Sequence, residues 1–187
     1  MTASETKVCP VVPLEVNDGS IQIVAYDLRW PSQFEELCVS IQTQLAAAAL
    51  TVEHMGSTAM PGLAAKPVID IVLTVQDSAD ESAYAAALTR IGFELRVREP
   101  AWFEHRLFTH HAPRANLHVF SSGCPEIRRM RRFRDWLRVC AEDRELYERT
   151  KRSLAQRHWR CVQDYADAKT GIIGEIARRA SALPMTP

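Results

Sequence analysis

Apolar positions along this chain follow two periods, and the change from one to the other divides it. Between Ile21 and Phe120 short strand-like runs are interrupted by helical stretches. After Ser121-Ser122-Gly123 every apolar stripe has helical spacing. Ile21 to Ala25 reads as a short strand. Tyr26 to Pro31 then leads into a helix with Phe34, Leu37, Cys38, Ile41 and Leu45 on one face, the proline being tolerated in its first turn. Ala46 to Ala49 carry that helix towards the strand residues Leu50 to Val52. The strongest strand, Val68 to Val75, holds a single acid, Asp70. Ser78 and Glu81 predict a capping box for a helix with Tyr84, Leu88 and Ile91 inward, ended by Gly92. Phe93 to Val97, Trp102 to His110 and Asn116 to Phe120 follow as strands, the last two joined by a hairpin turn at His111-Ala112-Pro113-Arg114. The helical remainder carries Ile127, Met130, Phe133, Leu137 and Cys140 on one helix and Leu146, Tyr147, Thr150 and Leu154 on a second. A third single helix is predicted with Val162, Tyr165, Ala166, Lys169, Ile172, Ile173 and Ile176 inward.

This order predicts an α/β (α+β) protein: a small mixed sheet flanked by helices, with a helical C-terminal subdomain. The 187 residues suit one domain with a real core. Residues 1–20, with Pro10, Pro13 and Asn17-Asp18-Gly19, read as a flexible arm; 21–182 form the domain, 21–122 its α/β part and 123–182 its helical part.

Charge adds one local feature. Lys+Arg and Asp+Glu are both 23, so the balance points to neither nucleic acid nor membrane. Glu126 to Arg160, however, carries eleven arginines and one lysine against six acids. That excess could face phosphate groups or form a solvated helix surface. Five scattered cysteines without a C-x-x-C pair argue against a disulfide framework and a thiolate zinc site. With no long apolar run and no leader pattern, a cytoplasmic setting with reduced thiols is expected.

The chemistry concentrates between Glu53 and Ile71. Side chains alternate across a strand, so Asp70 shares a face with Val68, Val72 and Thr74, while Ile69, Ile71, Leu73 and Val75 take the core face. An aspartate in so apolar a strand is costly to bury alone, so it either faces a cleft with a cation or pairs with Arg or Lys. Gly56-Ser57, just upstream, forms a turn whose N–H groups and hydroxyl suit phosphate oxygens, with the carboxylate suiting a divalent metal.

The string from Glu53-His54-Met55-Gly56-Ser57 to Leu63, followed by Ala65-Lys66-Pro67-Val68-Ile69-Asp70-Ile71, resembles the hallmark of the GrpB family. The resemblance runs on through Val24-Ala25-Tyr26-Asp27, Trp30-Pro31, Phe34, Arg106, Leu117-His118-Val119 and Phe133 to Arg138. It continues with Tyr147, Lys151, Leu154, Tyr165 and Lys169, covering about Ile23 to Ile176. It implies a nucleotidyltransferase-like fold, and some members of the family are fused to dephospho-CoA kinase. The wider superfamily carries two carboxylates one residue apart on the acidic strand, and here Val72 stands in the second position. Asn116 and Met60 are further departures, where the family often has histidine and valine.

The resemblance implies a metal-dependent nucleotidyltransferase that acts on a nucleoside triphosphate and a small-molecule acceptor. Asp70 and His118 would hold Mg2+, and Asp70, His118 and Arg106 would be catalytic. Gly56, Ser57, Thr58, Lys66, Arg134, Lys151 and Lys169 would contact phosphate. Each has a plainer alternative: His118 a structural histidine, Arg106 a partner of Glu104 or Asp70, Lys66 a solvated lysine, Lys169 a partner of Asp135. The alternative to the enzyme is an inactive module that binds a nucleotide or a CoA-like ligand. His105, His110, His111 and His118 alternate in facing and do not make a zinc helix motif. No G-x-S-x-G elbow surrounds Ser57. Few aromatics interleave the arginines, which disfavours nucleic acid.

Overall fold

The computed structural model describes residues 9–11 and 20–182. The sheet strands are β1 (Cys9–Pro10), β2 (Thr51–Met55), β3 (Ile69–Val75), β4 (Glu94–Glu99), β5 (His105–His111) and β6 (Arg114–Ser121). They lie in the order β1-β4-β5-β6-β3-β2, with β3 and β6 parallel and the other pairs antiparallel. The helices are α1 (Trp30–Leu45), α2 (Ala85–Arg90), α3 (Pro125–Val139), α4 (Ala141–Ala155), α5 (Val162–Ala168) and α6 (Thr170–Ala182). A mixed sheet flanked by helices, with a helical C-terminal part, is what the two periodicities anticipate.

One face of the sheet carries Ile69, Ile71, Leu73 and Val75 of β3 beside Leu117 and Val119 of β6 and Phe108 of β5. These pack against Leu37, Ile41 and Leu45 of α1 and against Tyr84, Leu88 and Phe93. The other face of β3 is also covered: Val72 joins Met55, Phe120 and Ile127 of α3 in a second apolar cluster. Strand β3 is thus buried from both sides, which explains its nearly continuous hydrophobicity. It also accounts for Val72. A carboxylate at this fully buried position would sit under α3 among apolar side chains.

Several local expectations change. Ile21 to Ala25 forms no strand, only a bridge between Val24 and Ala65. The Asn17-Asp18-Gly19 turn lies outside the described residues, while Cys9–Pro10 adds a short edge strand to β4. The capping box does not form. Ser78 Oγ lies 2.9 Å from Ser121 Oγ, and Glu81 is drawn to two arginines. Strand β5 begins at His105 because Phe103 and Glu104 take left-handed φ values of 56° and 51° in the preceding turn. The third C-terminal helix breaks at Lys169 into α5 and α6. The two halves serve different cores: Tyr165 packs with Ile21 and Leu154, whereas Ile172, Ile173 and Ile176 pack with Met60, Leu63 and Leu137.

Glu81 ties this framework together on the core side. Its carboxylate accepts from Arg98 Nε and Nη2 at 2.6 Å and from Arg106 Nε at 2.6 Å, with Arg106 buried. These paired guanidinium groups hold the Glu81 carboxyl below its usual range, with Arg98 the larger cause. Removing the charge in Glu81→Gln leaves the buried Arg106 guanidinium with only the half-exposed Glu104 carboxylate as counter-ion and is expected to cost about 3 kcal/mol in urea unfolding. A loss well below about 1 kcal/mol would mean that the cluster behaves as a surface pair.

Candidate functional site

The site begins where β2 ends. Antiparallel pairing sets Met55 opposite Asp70, so the residue after Met55 meets the aspartate side chain. That residue is Gly56, at φ 66°. A Cβ there would stand 2.2 Å from Asp70 Oδ2 and 2.8 Å from Asp70 Cβ. Only glycine allows both the left-handed backbone and this approach. The following 3-10 turn, Ser57–Ala59, is thereby held against the carboxylate.

Asp70 is partly accessible from one side and otherwise enclosed by protein. Its Oδ1 accepts from Asn116 Nδ2 at 3.0 Å, across the parallel β3–β6 pairing. Burial raises its pKa, and the Asn116 hydrogen bond, then Lys169 and Lys66, oppose the shift. Among the described residues, no arginine clamp closes over it. Both alternatives read from the strand therefore apply in part, since Asp70 faces a cleft and lysines stand near it.

Two lysines reach the cleft from the helical part. Lys151 of α4 is 2% exposed; its Nζ lies 3.0 Å from Ser57 Oγ and donates to the Ala64 carbonyl. The same ammonium lies 4.8 Å from the ring centre of Tyr147, one helical turn earlier. Burial lowers the Lys151 pKa to about 7, with Lys169 adding to the effect. Lys169, at the end of α5, sits 4.6 Å from the ring centre of Tyr165. Burial lowers its pKa too, Asp70 opposing and Lys66 reinforcing the shift. The buried Tyr165 hydroxyl has no hydrogen-bond partner among the described residues.

On the far wall, β6 presents His118 two residues beyond Asn116, on the same face as Asp70. His118 Nδ1 lies 3.0 Å from His105 Nε2, and His105 Nδ1 lies 2.7 Å from Glu99 Oε2. The hydrogen-bonded chain Glu99–His105–His118 engages His118 at Nδ1 and leaves its Nε2 outside that chain. Burial, with His105 second, lowers the His118 pKa to about 3, which keeps the ring neutral near pH 7.

These walls enclose a cleft of about 530 Å³, lined by Gly56, Ser57, Thr58, Lys66, Asp70, Asn116, His118, Lys151, Tyr165 and Lys169 among others. Eight of the sequence-identified residues therefore converge. Thr58 is almost fully buried, its hydroxyl within 3.0 Å of His54 Nε2 and 3.4 Å of the Val68 carbonyl, so it braces the turn. Arg106 and Arg134 do not join the site. Arg106 alternates with His105 and Leu107 and projects from the opposite sheet face, where Glu81 and Glu104 hold it. Arg134 is bound to Asp135 at 2.7 Å and to the His54 carbonyl at 3.2 Å, bracing α3 against β2. Asn116, Tyr165, His105 and Glu99 are contributors that the sequence did not single out for these roles. The chain gives no signal for them, because strand register and helix docking bring them in.

Among the described residues, no group of three His, Cys, Asp or Glu side chains is arranged to hold a metal ion. A Mg2+ ion here would take Asp70 as its carboxylate, with His118 as the second ligand expected from the sequence and ligand phosphates and water completing the shell. Asn116 and Ser57 supply neutral oxygens nearby. Among the described residues, no helix is long and apolar enough to cross a membrane.

A mixed sheet joined to a helical layer, with a lysine-lined cleft over one acidic strand, defines an α/β protein of the kind the sequence pattern anticipates. The chain belongs to the GrpB family: the family model described as GrpB protein matches residues 20–179. It is 52% identical over 181 residues to a UPF0157 protein of Halalkalibacterium halodurans, covering 97% of this chain and 93% of that one. A UPF0157 protein of Streptomyces coelicolor is 43% identical over 157 residues, 84% of this chain and 82% of that one. A dephospho-CoA kinase of Mycolicibacterium paratuberculosis is 28% identical over 192 residues, 89% of this chain but 47% of that one. The crystal structure of the conserved protein GrpB from Enterococcus faecalis superposes with a TM-score of 0.73 at 30% identity, covering 85% of this chain and 96% of that one.

Gly56→Ala combines a positive φ with a collision at Asp70, so a loss of at least about 2 kcal/mol in stability is expected. Gly62→Ala, at φ 80° with nothing within 4 Å of the added Cβ, should cost about 1 kcal/mol from backbone strain alone. Equal losses for the two variants would refute the close approach. Lys151 gives a pH signature as well. Its folded pKa of about 7 lies below the ordinary 10.5, so between these values the unfolded chain binds the extra proton. Its contribution is fully present above pH 10.5 and is lost as pH falls through about 7. Stability should therefore rise from pH 7 towards 10 more steeply in the native protein than in Lys151→Met, as read by chemical denaturation at each pH.

Proposed function

We propose that the cleft binds the phosphate chain of a nucleoside triphosphate and that the protein transfers the nucleotidyl group to a small-molecule acceptor. The observation that carries this reading is the packing of the Gly56 backbone on Asp70. It brings the Ser57 turn, the carboxylate and the amines of Lys151 and Lys169 to one cleft. Lys66 and Lys169 would supply positive charge along the phosphates, and the Tyr165 hydroxyl, without a hydrogen-bond partner among the described residues, would be available to a ligand oxygen. Mg2+ bound at Asp70 would neutralise charge on the transferred phosphorus group. Asn116 would fix the carboxylate that holds the ion, and His118, kept neutral by burial, would offer a ring nitrogen to the ion or to the acceptor. Catalysis of this kind rests on positioning and electrostatics, which the walls of the cleft provide.

A second reading has its own observation. Val72 is sealed in an apolar cluster, so the strand cannot offer a second carboxylate, and a non-catalytic module for a nucleotide or CoA-like ligand would need none. Titration calorimetry with ATP separates the two. Binding that strengthens about tenfold with Mg2+, and that loses this gain in Asp70→Asn, supports the transferase. Equal binding with and without metal supports the module. Absence of binding by both ATP and CoA would overturn both.

A further inference from the structure

We infer that the acceptor is a small anionic molecule whose carboxylate or phosphate is held by Arg96 and Arg114, where the cleft reaches β4 and β5. This rests on the reading of the cleft as a nucleoside triphosphate site and names the chemical class of the second substrate.

The cleft is longer than its phosphate-binding end. Asp70 on β3 pairs with Asn116 on β6, and Asn116 with Thr109 on β5, so these side chains form one row across the sheet. The next row runs from His118 through Leu107 to Val97 on β4. Neighbouring strands lie about 4.8 Å apart, so the floor extends about 14 Å from β3 to β4. Ser57, Lys66, Lys151 and Lys169 gather at the Asp70 end. Leu107, Thr109 and Val97 line the part beyond His118, which gives a second molecule its own floor.

Strand β4 turns two consecutive side chains into that part. Leu95 pairs with Phe108 and Val97 with Leu107, which leaves Arg96 as an extra residue in a β-bulge. In regular alternation only one of Arg96 and Val97 could face the cleft. Leu95 packs on the apolar core and Arg98 bonds Glu81 on that side, yet Arg96 and Val97 both line the cleft. A bulge re-aims side chains in this way. Arg114 stands on the same face of β6 as Asn116 and His118, with His111 as its register partner. Glu94 Oε2 lies 3.5 Å from Arg96 Nη1 and 3.8 Å from His111 Nε2, so Arg96 sits beside the hairpin end that carries Arg114. That long contact to a half-exposed acid leaves the Arg96 donors open to a better-placed oxyanion.

Asp70 is the one acid among the described residues lining the cleft, against three lysines and these two arginines. The lysines lie at the triphosphate end. At a transferred phosphorus the attacking and leaving oxygens are roughly in line. With pyrophosphate leaving on the lysine side, the acceptor therefore approaches the α-phosphorus from the side of β5 and β4. Its oxygen or nitrogen bonds to that phosphorus, the bond to the bridging oxygen breaks, and the acceptor's proton passes to solvent. Guanidinium groups hold a carboxylate or phosphate through paired N–H donors, whereas a cationic acceptor would meet two like charges. Leu107 and Val97 suit a short carbon chain between the nucleophile and the anion.

The full chain, saturated with Mg2+ and α,β-methylene-ATP to fill the nucleotide end without reaction, is titrated by calorimetry with sn-glycerol 3-phosphate, 4-hydroxybutyrate, glycerol and ethanolamine. The anions should bind and the neutral and cationic compounds should not, and the tighter of the two anions tells phosphate from carboxylate. Arg96→Gln and Arg114→Gln should each weaken anion binding about tenfold and leave the analogue's affinity within about twofold, with thermal melts confirming that both fold. If neither anion binds, if glycerol or ethanolamine binds as well, or if the variants bind the anions unchanged, the proposal is wrong and the nucleotide reading stands. If the variants weaken the analogue itself, this end holds the nucleoside and the proposal falls. If the analogue does not bind but the protein takes an anion in an Arg96- and Arg114-dependent way, the anion site stands and the nucleotidyl reading falls.

Discussion

Asp70 can meet the backbone of the preceding turn only because position 56 has no side chain, and the rest of the site is arranged around that contact. A carboxylate in strand β3 would ordinarily be a liability in an apolar sheet. Here the Gly56 backbone packs against one of its oxygens, Asn116 bonds the other, and Lys169 and Lys66 stand near enough to oppose the effect of burial. The same contact directs the Ser57 turn into the cleft, where the buried amine of Lys151 meets it from a helix 94 residues further along the chain. The α/β part and the helical part are thus joined at the chemistry itself.

The polar groups in this region fall into two sorts. Glu81 with Arg98 and Arg106, and Glu53 with Arg131 and Arg134, pair charge with opposite charge and fix the framework. Around the cleft the pattern is different. Lys151 is buried and Lys169 half-buried beside aromatic rings, two histidines share one hydrogen bond, and a tyrosine hydroxyl has no partner among the described residues. Polar groups left incompletely paired by the protein are suited to a ligand, because binding can supply what folding does not. That contrast separates structural arginines from candidate functional lysines, although both carry the same charge.

The acidic strand also shows how a covered sheet constrains chemistry. Val72 shares a face with Asp70, yet the two positions have different surroundings: α3 lies over Val72, and the cleft opens beside Asp70. One carboxylate is what this geometry accommodates. The family to which the chain belongs therefore frames the fold, while the activity has to be argued from the single acid, the turn and the lysines.

Strand and helix periodicity in the sequence determined the α/β-then-helical order, the core face of β3, the glycine-serine turn and the lone acid, because each is a local pattern that backbone geometry enforces. The sequence could not place Arg106. Alternation puts it opposite His105 and Leu107, but with both faces of the sheet buried, polarity does not reveal which face carries the cleft. Nor could it pair Asn116 with Asp70, bring His105 to His118 or carry Lys151 to Ser57. Those meetings depend on the parallel β3–β6 register, on the β5–β6 pairing that starts after the left-handed turn, and on the docking of α4 against the Ser57 turn, all set by packing between separate segments. Local chemistry named the residues, and tertiary packing decided which of them share a cleft.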